Sequence, residues 1–195
     1  MNIHGYSISR VNGPGKRFTL WTQGCFKKCK NCFNPETWSY KENKILSPYQ
    51  IFELINNFED LDGVTITGGD PLEQEDDLLA LLFLLSGKNF KKGVIVFTGY
   101  QKEQLEQHPI RKKCLEYIDV LIDGVYVDEL KSESDLRGSK NQQFYFFSEK
   151  IKEEELMFDH EIEISRGDSD IILTGFPKIN RKILLELGVK IKNDN

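Results

Sequence analysis

Cys25, Cys29 and Cys32 stand in one short run, GCFKKCKNCFNPETW, with C-x3-C-x2-C spacing. Three thiolates that close together can take three corners of a cubane iron–sulfur cluster and leave the fourth iron without a protein ligand. An iron with an open position can bind and activate a small molecule. Two alternatives stand beside this reading. Clustered cysteines also hold structural zinc, which takes four closed ligands, and cluster-binding cysteines themselves usually come in fours. The only other cysteine, Cys114, lies far along the chain between Lys113 and Leu115, in a segment of helical pattern. It is either a fourth ligand without a C-x2-C partner or a small buried apolar side chain, the usual fate of a free cysteine. A disulfide framework is not expected, because the chain shows no secretory pattern and has four cysteines in 195 residues.

A second motif, Thr67-Gly68-Gly69-Asp70-Pro71, follows the short strand pattern of residues 63–67 (GVTIT). Paired glycines let a ligand approach the backbone closely. Pro71 removes a donor and stiffens the exit, and Asp70 adds an acceptor for an ammonium or hydroxyl group. Alone, the motif reads equally as a tight strand-to-helix turn. The cysteine run also follows a strand pattern, residues 17–22 (RFTLWT). Open α/β sheets and barrels place ligands at the C-terminal ends of their strands, so both motifs are expected on one rim.

The elements that must carry these motifs alternate. After the cysteine run, Ser47 and Pro48 open a helix, with Ser47 as N-cap and Ile51, Leu54, Ile55 and Phe58 as its apolar stripe. Residues 76–85 form a strongly apolar helix and residues 93–98 (GVIVFT) a continuous apolar strand, as suits a parallel sheet covered on both faces. Residues 101–107 and 110–117 read as helices separated by Pro109, and residues 119–122 as a strand closed by Asp123-Gly124. This alternation predicts α/β architecture with βαβ units in a parallel sheet or partial barrel. Residues 143–147 (QFYFF) predict a further strand, and 150–155 a charged helix or loop whose Glu153-Glu154-Glu155 run is a solvated face. Residues 161–165 and 170–174 predict a β-hairpin, 178–187 a last helix and 189–192 a last strand.

Other motifs extend the set. Asn12-Gly13-Pro14-Gly15-Lys16-Arg17 precedes the first strand, Phe97-Thr98-Gly99-Tyr100 follows the third, and Leu136-Arg137-Gly138-Ser139-Lys140-Asn141-Gln142 lies before residue 143. In this order the motifs resemble the radical S-adenosylmethionine (SAM) superfamily. They are most similar to its activating enzymes for glycyl radical enzymes, and the RGS-x-NQ pattern resembles the activating enzymes of anaerobic ribonucleotide reductase. The resemblance covers about residues 3–145. It implies an open, partial βα barrel over residues 1–148, with residues 149–195 as a small hairpin-and-helix extension packed on the same domain.

The resemblance also implies the chemistry. Cys25, Cys29 and Cys32 would ligate a 4Fe–4S cluster whose open iron chelates SAM, and reduction would cleave SAM so that a hydrogen atom can be taken from the target. Gly68, Gly69 and Asp70 would receive the SAM amino group. Asn31 and Phe33 would lie near the adenine, largely through backbone atoms, Asp123 would contact the ribose or methionyl part, and Thr98 is a further SAM-binding candidate. For Thr98, bonding to its own backbone is the alternative, and for Asp123 a turn or capping role. No acid–base residue is required, since the cofactor carries the hard chemistry. The implied partners are a glycyl radical enzyme, anaerobic ribonucleotide reductase foremost, and a reductant such as flavodoxin or ferredoxin. A small radical SAM enzyme acting on another peptide or small molecule is the alternative.

Composition sets the remaining bounds. A net charge of −5 argues against a nucleic-acid platform. The longest apolar run, residues 78–85, is far too short to span a membrane. Mixed lysine and glutamate with free thiols fit a reducing, cytoplasmic setting. His4, His108 and His160 are scattered without metal-ligand spacing, and Trp21 and Trp38 are expected to shield the cysteine run by packing.

Overall fold

The computed structural model describes residues 1–158, 162–166 and 171–175. Its strands are β1 (Asn2–Ser9), β2 (Arg17–Thr22), β3 (Lys44–Ile45), β4 (Gly63–Gly68), β5 (Val94–Phe97), β6 (Val120–Asp123) and β7 (Gln143–Phe146). They form one open sheet in the order β3-β1-β2-β4-β5-β6-β7. The central strands β2, β4, β5 and β6 run parallel. The expected parallel sheet is therefore only the middle of a mixed one, because β1 and β3 on one side and β7 on the other are antiparallel. Two more strands, β8 (Ile162–Arg166) and β9 (Ile171–Gly175), pair antiparallel, as the hairpin pattern predicts. The final helix and strand expected at 178–187 and 189–192 lie outside the described residues. Among the described residues no helix is long and apolar enough to cross a membrane.

Helices α1 (Pro48–Asn56), α2 (Glu75–Ser86), α3 (Lys102–Glu106) and α4 (Pro109–Leu115) fill the crossovers between the parallel strands. Ser47 caps α1 reciprocally: its hydroxyl accepts from the Gln50 amide at 3.1 Å, and the Gln50 side chain accepts from the Ser47 amide at 2.8 Å. Ile51 and Ile55 of α1, Leu78, Leu81, Leu82 and Leu85 of α2, and Cys114 and Leu115 of α4 join one core cluster. They share it with Phe18, Leu20, Val64, Ile66, Val94, Val96 and Leu121 of the strands. The alternate strand residues Ile95, Val120 and Ile122 point to the other face and form a second cluster with Leu136, Ile151 and Leu156. The charged stretch at 150–155 thus has an apolar underside, and its Glu153–Leu156 turn is 3₁₀.

Strand β1 is absent from the sequence reading for a physical reason. Its pairing with β2 shifts between Ile3 and Gly5, a bulge. Ile3 and then Tyr6 both pack toward the helices, so the apolar residues do not alternate. Strand β3 is two exposed residues with no pattern to detect.

The Asn12–Arg17 motif has a structural task at the N-terminal end of the parallel strands. Arg17 is fully buried. Its Nε donates to Thr65 Oγ1 at 2.7 Å, and its terminal nitrogens donate to the carbonyls of Pro14 (3.2 Å), Lys92 (2.8 Å), Val64 (2.6 Å) and Gly93 (3.0 Å). Burial pushes its pKa down to about 9 against the pull of Asp119 and Asp62. The guanidinium stays charged at neutral pH and is satisfied by oxygen on every side. Replacing Arg17 with Met leaves those acceptors dry and unpaired. The Arg17→Met variant should lose on the order of 3 kcal/mol or more in urea denaturation of the apo protein; a loss under about 1 kcal/mol would contradict this role.

Candidate functional site

Parallel register gathers four loops on one rim. Thr22 pairs with Gly68 at the ends of β2 and β4, and Phe97 pairs with Ile122 at the ends of β5 and β6. The cysteine loop, the Gly68–Pro71 turn, the Thr98–Tyr100 segment and Asp123-Gly124 therefore follow neighbouring strands at their C-terminal ends. The first two are stitched together: the Gly69 amide donates to Thr22 O at 2.8 Å and the Asp70 amide to Gly24 O at 2.9 Å. A Cβ on Gly68 (φ 101°) would meet Thr22 N at 2.6 Å, and one on Gly69 would strike the Gly24 carbonyl. Both glycines are therefore demanded by the passing of β2 against this turn, whatever a ligand adds.

The three loop cysteines are free thiols, each partly buried, while Cys114 is fully buried. Burial pushes the Cys25 thiol up to about 11 and raises Cys32. Backbone amides counter this. Those of Lys27 and Lys28 donate to Cys25, and the Asn34 amide lies 3.4 Å from Cys32 Sγ. The Trp38 side chain also hydrogen-bonds Cys32. A bound metal group would complete the compensation, because metal binding deprotonates such thiols. Among the described residues no three His, Cys, Asp or Glu groups close on one point as a single ion requires. Zinc with sulfur bonds of about 2.3 Å would need its thiols within roughly 4 Å of one another. Three thiols with N–H donors on one loop fit a larger group carrying several metal atoms. Cys114 stands apart in the helix-side core, its sulfur 3.8 Å from Glu75 O.

The acidic candidates are anchored from below. Asp70 is buried. Its Oδ1 accepts from the Leu72 amide (3.1 Å) and Thr98 Oγ1 (2.8 Å), and its Oδ2 accepts from the Gly99 amide (2.9 Å). Three of the roughly four acceptor positions of a carboxylate are used. Burial raises the Asp70 pKa, against the Gly99, Thr98 and Leu72 bonds. Thr98 joins the GGDP turn to the end of β5 and accepts from the Tyr100 amide at 3.2 Å. Asp123 accepts from the amides of Lys102 (2.7 Å), at the start of α3, and Gln143 (3.3 Å). It also borders a cleft of about 300 Å³ walled by Lys27, Gly99, Gln101, Gly124 and Asn141 among others. Burial raises the Asp123 pKa too.

Around this floor, Tyr100 and Tyr40 both donate to Glu73, at 2.7 and 3.2 Å. Lys27 Nζ lies 3.6 Å from the Tyr100 ring centroid and 4.2 Å from that of Phe26. Asn31 is exposed with φ 55°, and the Phe33 ring lies 5.0 Å from that of Tyr126 at a 58° tilt. Sequence reasoning missed Trp38 as a donor to Cys32, together with Tyr40, Glu73 and Tyr126. Only Trp38 carried a signal, its fixed place after the last cysteine.

A rim that joins a three-thiol loop to a Gly-Gly-Asp turn has the ligand set of an iron–sulfur protein. The family model described as a 4Fe-4S single cluster domain matches residues 11–145. Among curated relatives, a protein of Enterobacteria phage T4 is 33% identical over 144 residues, 72% of this chain and 90% of the relative. One of Escherichia coli K12 is 34% identical over 150 residues, 73% and 96% of the two chains. One of Vibrio cholerae is 34% identical over 157 residues, 76% and 99%. All three are named anaerobic ribonucleoside-triphosphate reductase-activating proteins. The chain belongs to this family. About a quarter of it has no counterpart in these relatives, which are matched nearly end to end.

Iron content separates the cysteines. After anaerobic reconstitution, Cys29→Ala should hold no stable 4Fe–4S chromophore, while Cys114→Ala should load iron like the parent. Loss of iron from the Cys114 variant, measured with matched apo-protein melts, would refute the three-ligand set.

Proposed function

We propose that this protein activates an anaerobic ribonucleotide reductase by generating its glycyl radical, with a 4Fe–4S cluster on Cys25, Cys29 and Cys32 and SAM as co-substrate. The observation that carries this is the seam between the cysteine loop and the GGDP turn, closed by the bond from the Asp70 amide to Gly24 O at 2.9 Å. In this reading a cluster held by Cys25, Cys29 and Cys32 would stand beside the backbone polar groups of the Gly68–Asp70 turn, and the seam supports that placement. The open mixed sheet is read as the partial barrel of the radical SAM fold. When bound, the reduced cluster and SAM together supply a carbon radical that removes a hydrogen atom from the target glycine.

The chain's own residues bind and orient. In this reading Gly68, Gly69 and Asp70 form the shelf for the SAM ammonium, and Asp70 presents its unused acceptor position from a frame fixed by Leu72, Thr98 and Gly99. Thr98 and Asp123 serve the ribose or methionyl part, and the cleft beside Asp123 supports that assignment. Asn31 and Phe33 flank the adenine. Residues 1–148 act as the radical SAM core and 149–195 as an extension on the same domain. Support comes from the buried Ile151 and Leu156 and from the bonds Leu136 N to Leu156 O (2.9 Å) and Phe158 N to Ser134 O (3.1 Å). A flavodoxin or ferredoxin in the cytoplasm fits as the electron source.

The test mixes anaerobically reconstituted protein, SAM, reductant and an anaerobic ribonucleotide reductase. The expected product is a glycyl doublet in the electron paramagnetic resonance (EPR) spectrum, with one methionine formed per radical. SAM cleavage without that doublet, across candidate reductases, would move the assignment to a radical SAM enzyme with another substrate.

A further inference from the structure

The segment at 136–142 is prominent in the sequence, yet none of its side chains enters the chemistry above. Its contacts explain what it does. Gln142 Nε2 donates to Gly124 O at 2.8 Å, Asn141 Nδ2 to Val125 O at 2.9 Å, and Ser139 Oγ accepts from the Val127 amide at 3.0 Å. The Lys140 amide reaches Leu130 O at 2.7 Å. Gln142 Oε1 in turn accepts from the amides of Gly138 and Ser139, at 2.9 and 3.1 Å. The segment is thus a clamp that fixes the backbone of residues 124–130.

That clamped stretch grips the cysteine loop. Asp128 Oδ2 accepts from Asn31 Nδ2 at 2.6 Å, and Asp128 Oδ1 accepts from the Tyr126 hydroxyl at 2.8 Å. Lys30 pairs with Glu129 at 3.1 Å. The Tyr126 ring lies 5.0 Å from that of Phe33, next to Cys32. Gly138 completes the wall: a Cβ there would sit 3.0 Å from Tyr126 Cδ2 and 3.3 Å from Phe33 Cε2. Meanwhile the cysteine loop holds two non-glycine residues at positive φ, Lys28 (46°) and Asn31 (55°). Left-handed backbone costs an ordinary residue such as Lys28 about 1–2 kcal/mol, whereas asparagine adopts it readily. The bond from Asn31 Nδ2 to Asp128 then fixes the Asn31 side chain against the 124–130 stretch.

We infer that Tyr126, Asp128 and Gly138 are positioning residues that hold the Asn31–Phe33 side of the cysteine loop, and with it Cys32, in its ligating shape. Partners beyond the ligand shell orient the ligands, and losing one typically costs 10–100-fold in metal affinity or activity. This inference rests on the cluster reading. It adds a role for the 136–142 clamp that is independent of SAM and of the partner.

The test is iron retention, not turnover. Reconstituted Asp128→Ala should lose iron to a chelator at least about ten-fold faster than the parent, and the EPR line shape of its reduced cluster should change. Asp128→Asn, which keeps one acceptor oxygen, should fall between the two. Gly138→Ala, which presses on Phe33 and Tyr126, should shift the same line shape. Apo-protein melts of the Asp128 variants, a partly exposed site, should stay close to the parent, which separates loop positioning from general unfolding. If Asp128→Ala retains iron at the parental rate with an unchanged spectrum, the inference is overturned. A parent protein that takes up no iron would overturn the cluster reading itself, and this inference with it.

Discussion

One guanidinium ties three parallel strands together at the end of the sheet away from the cysteines. Arg17 gathers carbonyls from the loop before β2, from the start of β4 and from the turn before β5, with Thr65 as a fifth acceptor. A buried charge is tolerated only when its partners are all present and well placed. The requirement fixes how far β2 can slide against β4. That register, with Thr22 opposite Gly68, brings the cysteine loop against the Gly-Gly-Asp turn at the far rim. The two ends of the sheet thus divide their labour, one sealed by hydrogen bonds and the other left with loops.

At the working rim the same economy recurs in the acids. Asp70 and Asp123 are buried; Asp70 accepts from the Leu72 and Gly99 amides and the Thr98 hydroxyl, and Asp123 from the amides of Lys102 and Gln143. They weld the turn after β4 to the segment after β5, and the end of β6 to α3 and β7. These carboxylates are fixed in place by their partners. The thiols show the opposite balance. Burial disfavours their charged form, and amide and indole donors offset only part of that.

The sequence exposed this site unevenly. Cysteine spacing and the Gly-Gly-Asp-Pro turn were legible because each is local, and strand periodicity set β2, β4, β5 and β6 within a residue or so of their observed ends. Strand β1 escaped because its bulge breaks alternation and β3 because it is two exposed residues, whereas β7 was legible as a strand though not as an antiparallel one. The paired glycines read as room for a ligand or as a tight turn, and the close passing of the backbone of β2 and Gly24 is by itself enough to require both. The bond from Trp38 to Cys32 and the grip of Asp128 on Asn31 join residues distant in sequence or off-pattern, and no periodicity encodes them. The Asn-Gly-Pro-Gly loop lies at the sealed end, where a Cβ on Gly13 would strike Ile95 and Arg17.

Whether the metal centre is left one protein bond short decides the whole account. Freeze-quenched EPR and Mössbauer spectra of the reduced, reconstituted protein, recorded with and without SAM, measure this directly. One iron of the four should stand apart from the other three and change its parameters when SAM is added. Four equivalent, fully protein-ligated irons indifferent to SAM, or a mononuclear site, would contradict it.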